Sequence, residues 1–336
     1  MRDFRKVEKH NDPVVKKTIV FFIIMIGLFG ALSYKTETAL FGNDRLVPDR
    51  NKCIYGIQRE PAESIDVLVL GDSLSLSSVS PMSLWKKYGY TSYVCGQPGQ
   101  KMNEAEELLS IALKSQKPRV VILETNALFC DRLKGRDLND MIEALLNYHI
   151  PVFRGHDVWK TLVMDKDFTE ENYPRYKGFA FRCAVKPYKK GPYMNETDRT
   201  EEIPDKNLIH MRRIMDMCRE RGAELILLAV PSPANYTYER HNAIVEFAGE
   251  HGLKYIDLNT CSDEIGINWS TDFLDRGDHL NLSGAERVTE YLGRFLSDHF
   301  RLADHRADAA YDGWEKESRE YEKKASEGLS KIRKGE

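Results

Sequence analysis

The chain has 336 residues, 42% of them hydrophobic and 30% charged, which is enough apolar material for one large domain or a domain carrying an insertion. Its formal net charge is −3, and no basic stripe with interleaved aromatics runs along it, which excludes the electrostatic footprint of a nucleic-acid-binding protein. The six cysteines, at 53, 95, 130, 183, 218 and 261, are too scattered for a disulfide scaffold, form no Cys-x-x-Cys metal pair and leave the redox compartment open.

Residues 1–17 read as a cytoplasmic N-terminus, because Arg2, Arg5, Lys6, Lys9, Lys16 and Lys17 precede an uncharged run at 18–33. That run predicts a transmembrane anchor at 18–34, which Val14, Val15 and Tyr34 extend toward the roughly 20 residues a bilayer core requires. Ala31-Leu32-Ser33 is followed by Tyr34 and Lys35 and makes no convincing small-x-small cleavage site. The segment therefore reads as an uncleaved single-pass anchor rather than a signal peptide. The positive-inside rule then places residues 35–336 outside the cytoplasm, at the cell membrane.

Residues 35–60 read as a linker and 61–302 as the main domain. Strand-like runs at 65–70, 91–95, 119–124, 224–230 and 254–258 alternate with helical patterns at about 101–116, 205–221, 237–250 and 283–300. This alternation predicts an α/β fold, a doubly wound parallel sheet in three layers of flavodoxin-like type. The stretch 131–204 is longer than a simple connection and reads as an insertion. Its Trp159, Tyr173, Tyr176, Phe179, Phe181, Tyr188 and Tyr193, with Arg175, Lys177, Arg182 and Lys186, either wall a cleft or form a small packed core. Ser283 to Glu286 reads as a capping box opening the last helix of the domain. Residues 303–336, rich in Glu, Lys, Arg and Ala, read as a charged tail that is a solvated helix or disordered.

The first strand-like run leads into Gly71-Asp72-Ser73-Leu74. A serine at the carboxyl edge of a parallel sheet faces the crevice where ligands bind. It needs a base to take its proton and a third group to hold that base in one tautomer. His279, in Asp275-Arg276-Gly277-Asp278-His279, supplies the base. Asp275 is the preferred acid and Asp278 the reserve, since a side chain adjacent to a histidine seldom folds back onto its ring. His149, His156, His210 and His241 show no metal-ligand spacing and read as structural.

These blocks resemble the SGNH or GDSL hydrolase family over residues 60–300. The resemblance implies Gly96, in Cys95-Gly96-Gln97-Pro98, and Asn126 as oxyanion-hole donors. The family's third block, Gly-x-Asn-Asp, reads Glu124-Thr125-Asn126-Ala127 here, so only the asparagine is retained. Its Asp-x-x-His spacing is also stretched by one residue. The anchor resembles that of extracytoplasmic members that work on cell-envelope polymers beside membrane-bound O-acyltransferases. It implies a serine esterase or O-acyltransferase acting on acyl, foremost acetyl, esters of an envelope polysaccharide, with a membrane-bound O-acyltransferase as partner. The alternatives are a catalytically degenerate glycan-binding or assembly protein and a lipid esterase. Neither a Walker loop nor a dinucleotide fingerprint is present, and the serine chemistry implies no metal or organic cofactor.

Overall fold

Runs dense in Val, Ile and Leu are stable as strands where helices cover both faces of a parallel sheet. The computed structural model describes residues 13–43, 46–130, 142, 145–155 and 176–335, and five such runs pair in it side by side. In chain order the elements are α1 (Pro13–Gly42), α2 (Lys52–Arg59), β1 (Val67–Gly71), α3 (Ser73–Ser78), α4 (Pro81–Tyr88), β2 (Ser92–Gly96), α5 (Met102–Ala112), β3 (Val120–Glu124), α6 (Pro151–Arg154), α7 (Asp205–Arg221), β4 (Glu224–Ala229), α8 (Tyr238–His251), β5 (Lys254–Asp257), α9 (Leu282–His299) and α10 (Asp312–Lys334). The strand order is β2-β1-β3-β4-β5 and every pairing is parallel. This is the α/β, doubly wound sheet of flavodoxin-like order that the alternating pattern predicts.

β1, β2 and β3 are buried along their whole length, and each fully buried Val or Leu contributes about 1.5–3 kcal/mol. The chain leaves β1 in one direction to reach β2 and then turns back past β1 to β3. Right-handed crossovers therefore put α3 and α4 on one face and α5, α7 and α8 on the other. α9 returns to pack on α3 and α4, and α5 packs on α7. The reversal between β1 and β3 opens a crevice at the carboxyl ends of those strands, where ligands of such sheets bind.

Three expectations change. Residues 35–60 are no loose linker, because α1 runs on to Gly42 and α2 buries Cys53, Ile54, Tyr55 and Ile57 at helical spacing. The helix expected to open at Ser283 starts earlier. Asn281 is its N-cap, with its carboxamide oxygen accepting from Ser283 N and Gly284 N, and asparagine caps as well as serine does. Glu286 is thereby free for other partners and accepts from the hydroxyls of Ser83 and Tyr321. The 303–336 tail is neither solvated throughout nor disordered over α10, which buries Trp314, Tyr321, Ala325 and Ile332 along one stripe. The Trp314 ring lies 5.4 Å from that of Trp85 in α4.

Of the 131–204 stretch, His156, Trp159, Tyr173 and Arg175 lie outside the described residues. The remaining aromatics divide between the two expected roles. Tyr176, Phe179 and Phe181 pack on Tyr321 of α10 as core. Tyr188 and Tyr193 meet Trp269 beside a cavity of about 500 Å³ that Lys189, Asn259 and Asp263 also line. Among the described residues, α1 alone is long and apolar enough to cross a membrane.

Candidate active site

β1 ends at Gly71 with a φ of 144°, where a Cβ would stand 2.6 Å from the Cβ of Glu124 on β3. Only glycine permits both the backbone angle and that approach. The turn delivers Asp72 as the N-cap of α3, with its carboxylate accepting from Leu74 N at 2.8 Å. Ser73 follows as the first helical residue. From Val67 to Trp85, Ser73 alone is not buried, so the local fold presents this one side chain to the crevice. Its Oγ lies 2.7 Å from His279 Nε2.

His279 stands on a hairpin outside the sheet. Phe273 and Leu280 pair antiparallel, and Leu274 N donates to His279 O at 2.9 Å, which leaves 275–278 as the loop. Arg276 (φ 68°) and Gly277 (φ 103°) both adopt left-handed backbone. Their reversal returns Asp275 to the imidazole. Asp275 Oδ1 accepts from His279 N and Oδ2 from Nδ1, each at 2.6 Å. The residue that stretches the Asp-to-His spacing is thus absorbed in this turn. Asp278 lies 3.6 Å from Nδ1, beyond hydrogen-bond reach, and accepts instead from Asn235 Nδ2 at 2.6 Å.

Two flanking segments hold the hairpin. From the loop after β4, Ser232 Oγ donates to Asp278 O at 2.6 Å and Ala234 N to Gly277 O at 2.9 Å. From the segment before α7, Lys186 N donates to Phe273 O, and Lys186 O accepts from Arg276 N, both at 2.9 Å. Tyr188 lies so close to Gly277 that a Cβ there would stand 2.6 Å from its ring.

The charges follow from these contacts. Burial alone would lower the His279 pKa, but the Asp275 hydrogen bond and the charges of Asp278, Asp275 and Asp72 together hold it above the ordinary imidazole value. Burial likewise acts to raise Asp275, yet the hydrogen bonds and charge of His279 keep it below the usual carboxylate range. With Nδ1–H directed at Asp275, Nε2 is left to accept the Ser73 hydroxyl proton. Asp275, Asp278 and His279 also form, among the described residues, a donor cluster whose ligand atoms lie within 4.8 Å of one another, a spacing the Asp275–His279 hydrogen bond accounts for.

Gly96 ends β2 in register with Gly71, and a side chain there would collide with Ser75. Asn126 sits in the 3₁₀ turn Thr125–Phe129 that follows β3. Its Nδ2 donates to Asp72 Oδ2 at 2.7 Å, and its Oδ1 accepts from Arg240 Nη1 at 3.1 Å. Partners of opposite polarity fix which way the amide points, and one Nδ2 hydrogen remains beyond the one given to Asp72. Beneath it Glu124 is fully buried. It accepts from Tyr236 OH at 2.5 Å and from Asn126 N at 3.1 Å, and burial next to Asp72 pushes its pKa well up. Asp72 is itself raised, chiefly by burial, against the hydrogen bonds from Leu74 N and Asn126.

Arg240 escaped the sequence reading. It lies on α8 and is clamped by both Glu201 oxygens at 3.0 Å. Its guanidinium lies over the Phe129 ring at 4.7 Å and also donates to Asn235 O at 2.7 Å. It therefore ties Asn126 on one side of the crevice to Asn235, and through it to Asp278, on the other. No motif marks it, because one arginine in the first turn of an amphipathic helix looks like ordinary solvent-face charge.

No family model matches the sequence, and no curated protein matches it significantly. Among solved structures, the chain is similar to the lipase/acylhydrolase from Enterococcus faecalis at 14% identity, with 71% of this chain and 99% of that one covered and a TM-score of 0.38. It is similar to TesA at 17% identity, with 69% and 98% covered and a TM-score of 0.37. A GDSL-like lipase from Bacteroides thetaiotaomicron is 12% identical over 70% and 89% of the two chains, with a TM-score of 0.36. Likenesses this distant leave the chemistry to be argued from the residues themselves.

Proposed function

We propose that this chain is a membrane-anchored serine esterase or O-acyltransferase of SGNH type, acting outside the cytoplasm on acyl, foremost acetyl, esters of a cell-envelope polysaccharide. The observation that carries this reading is the continuous relay from Ser73 Oγ through His279 Nε2 at 2.7 Å to Asp275 Oδ2 at 2.6 Å. His279 takes the Ser73 proton as Oγ attacks the ester carbonyl, while Asp275 stabilises the imidazolium that forms. The oxyanion is met by the free Asn126 Nδ2 hydrogen and the Gly96 backbone N–H. Collapse breaks the bond to the leaving alcohol, which takes the proton back from His279 and leaves an acyl group on Ser73. A water or a sugar hydroxyl then attacks that acyl group as His279 accepts its proton, and collapse breaks the bond to Ser73 Oγ, which takes the proton back from His279.

The basic N-terminus ahead of α1 supports the anchor and its orientation. The aromatic cavity at Tyr188, Tyr193 and Trp269, packed against the catalytic hairpin, supports a sugar-bearing substrate, since aromatic faces stack on pyranose rings. In the transferase form, a membrane-bound O-acyltransferase is the partner that hands over the acyl group.

The test is mass spectrometry of the detergent-solubilised chain after exposure to p-nitrophenyl acetate, wild type against Ser73→Ala. An acetyl group on Ser73, absent from the variant, is the expected result. Passage of that group to added glycan identifies a transferase, and loss to water alone an esterase. A folded protein with neither adduct nor turnover would overturn the reading in favour of a non-catalytic glycan-binding protein.

A further inference from the structure

We infer that Ile142, Leu145 and the segment 145–155 rest on the lipid bilayer beside α1, so that the domain sits on the membrane surface in a fixed pose instead of hanging from a stalk. This inference rests on the anchored reading given above. Outside α1, five large apolar side chains are exposed among the described residues, and three of them, Ile142, Leu145 and Phe153, fall among these residues. The other two, Ile209 and Val245, stand singly on α7 and α8, which is normal for a soluble surface.

Contact with α1 says what lies beside the Phe153 end of this segment. The Phe153 ring lies 5.8 Å from that of Phe29, and Val152 N donates to Ser33 Oγ at 3.4 Å. Phe29 lies inside the uncharged run and Ser33 closes it. At 1.5 Å per residue the four-residue separation puts Phe29, and Phe153 with it, about 6 Å below the outer end of the apolar span. Phe153 is thus level with lipid tails while the polar groups lie farther out.

Arg154, the next residue, marks the other side of that boundary. It is 5% exposed, and its guanidinium donates to Asn147 O at 2.8 Å, Tyr148 O at 2.6 Å, Tyr55 OH at 3.0 Å and Glu37 Oε2 at 3.3 Å. Glu37 belongs to α1, one turn beyond Ser33, and also accepts from Tyr55 OH at 2.9 Å. Arg59 of α2 donates to Phe41 O and Leu40 O at the carboxyl end of α1, where carbonyls lack helical partners. α1 is therefore bolted to α2 and α6, with Phe29 of its apolar run against Phe153. A paired arginine just above an apolar ledge matches the change from hydrocarbon to headgroup that interfacial segments exploit.

The test uses the full chain in vesicles of phosphatidylcholine and phosphatidylglycerol, labelled with a photoactivated apolar diazirine and mapped by peptide mass spectrometry. The expected result is label in the 18–33 peptide and in the 142–155 peptide, with none in the α7 peptide that carries exposed Ile209. Replacing Ile142, Leu145 and Phe153 by serine removes label from 142–155 and leaves it on 18–33. Label on 18–33 with none on 142–155 in the unaltered chain overturns the inference and leaves the anchor standing. No label on 18–33 overturns the anchor itself, and this inference with it. Label on 142–155 in pure lipid that is lost in native membranes overturns lipid as the occupant in favour of a membrane-protein partner.

Discussion

The two walls of the crevice are built by different means. Ser73, Gly96 and Asn126 stand at the ends of β1, β2 and β3, three buried strands whose ladder spaces them by hydrogen-bond register. His279 and Asp275 stand on a hairpin outside the sheet, whose shape depends on two left-handed residues and on bonds from the 186–188 and 232–235 segments. A ladder position can shift only by whole residues, whereas a loop can shift by fractions of an ångström. In the proposed mechanism the Ser73 side should therefore lose activity through missing groups, and the hairpin side through lost orientation as well.

The largest effect on that comparison is expected from Asp275→Asn. Asparagine keeps the size but favours the wrong tautomer of His279, a change that costs about 10⁴-fold in kcat in serine hydrolases with such a triad. The pH profile adds a sign. Asp275 helps hold the His279 pKa above its ordinary value, and the proposed mechanism needs the neutral imidazole, so the rate is expected to rise as pH passes through that pKa. Without the carboxylate the burial effect weighs more, and the acid limb moves to lower pH. An unmoved limb would show that Asp275 does not act on His279.

Asn126→Ala tests the ladder side. Loss of one oxyanion donor costs about 2.7–4 kcal/mol, or about 10²–10³ in kcat, with KM nearly unchanged and no shift of the pH profile. A loss confined to KM would place Asn126 in ground-state binding instead.

Arg240→Lys comes next, because it probes the tie between the two walls. Lysine keeps the charge but lacks the planar fork that spans Glu201 and Asn126 Oδ1. Looser aim of the Asn126 amide should reduce kcat by about tenfold, or about 1.4 kcal/mol. The same change in the Asn126→Ala background should cost nothing further, since positioning acts only through the group positioned. Additive losses would make Arg240 a structural residue alone.

The difference between the walls also explains what the sequence made legible. β1 and the Gly-Asp-Ser block are local, and an apolar run meeting a turn can be recognised without knowing any partner. Asn126 is legible only through the family resemblance, as the one residue of its block that is retained. The acid was harder, because choosing between Asp275 and Asp278 depends on φ at Arg276 and Gly277, which no spacing rule encodes. Arg240 depends on a contact with a residue 114 positions away and left no local signal. In α10 the stripe Trp314, Tyr321, Ala325, Ile332 was present in the sequence, but four apolar positions among many Glu and Lys were outweighed by composition. Exposed Phe153 acquires meaning only once Phe29 of α1 is seen beside it.

The smallest expected effect decides the hairpin's own ambiguity. Asp278 is 3.6 Å from Nδ1, its side chain is 43% exposed, and its Oδ1 is committed to Asn235. It touches the base only through charge, and an interaction of that kind near water is worth about 0–1 kcal/mol. Asp278→Asn should then lower kcat/KM by about fivefold at most. Because the Asp278 charge helps raise His279, the acid limb should shift slightly toward lower pH, in the same direction as for Asp275→Asn but by less. Measured side by side, the two asparagine variants rank the acids directly: if Asp278→Asn lost the larger share of kcat, the hairpin in solution would present Asp278 to His279 Nδ1, and the left-handed turn at Arg276 and Gly277 would have to be open.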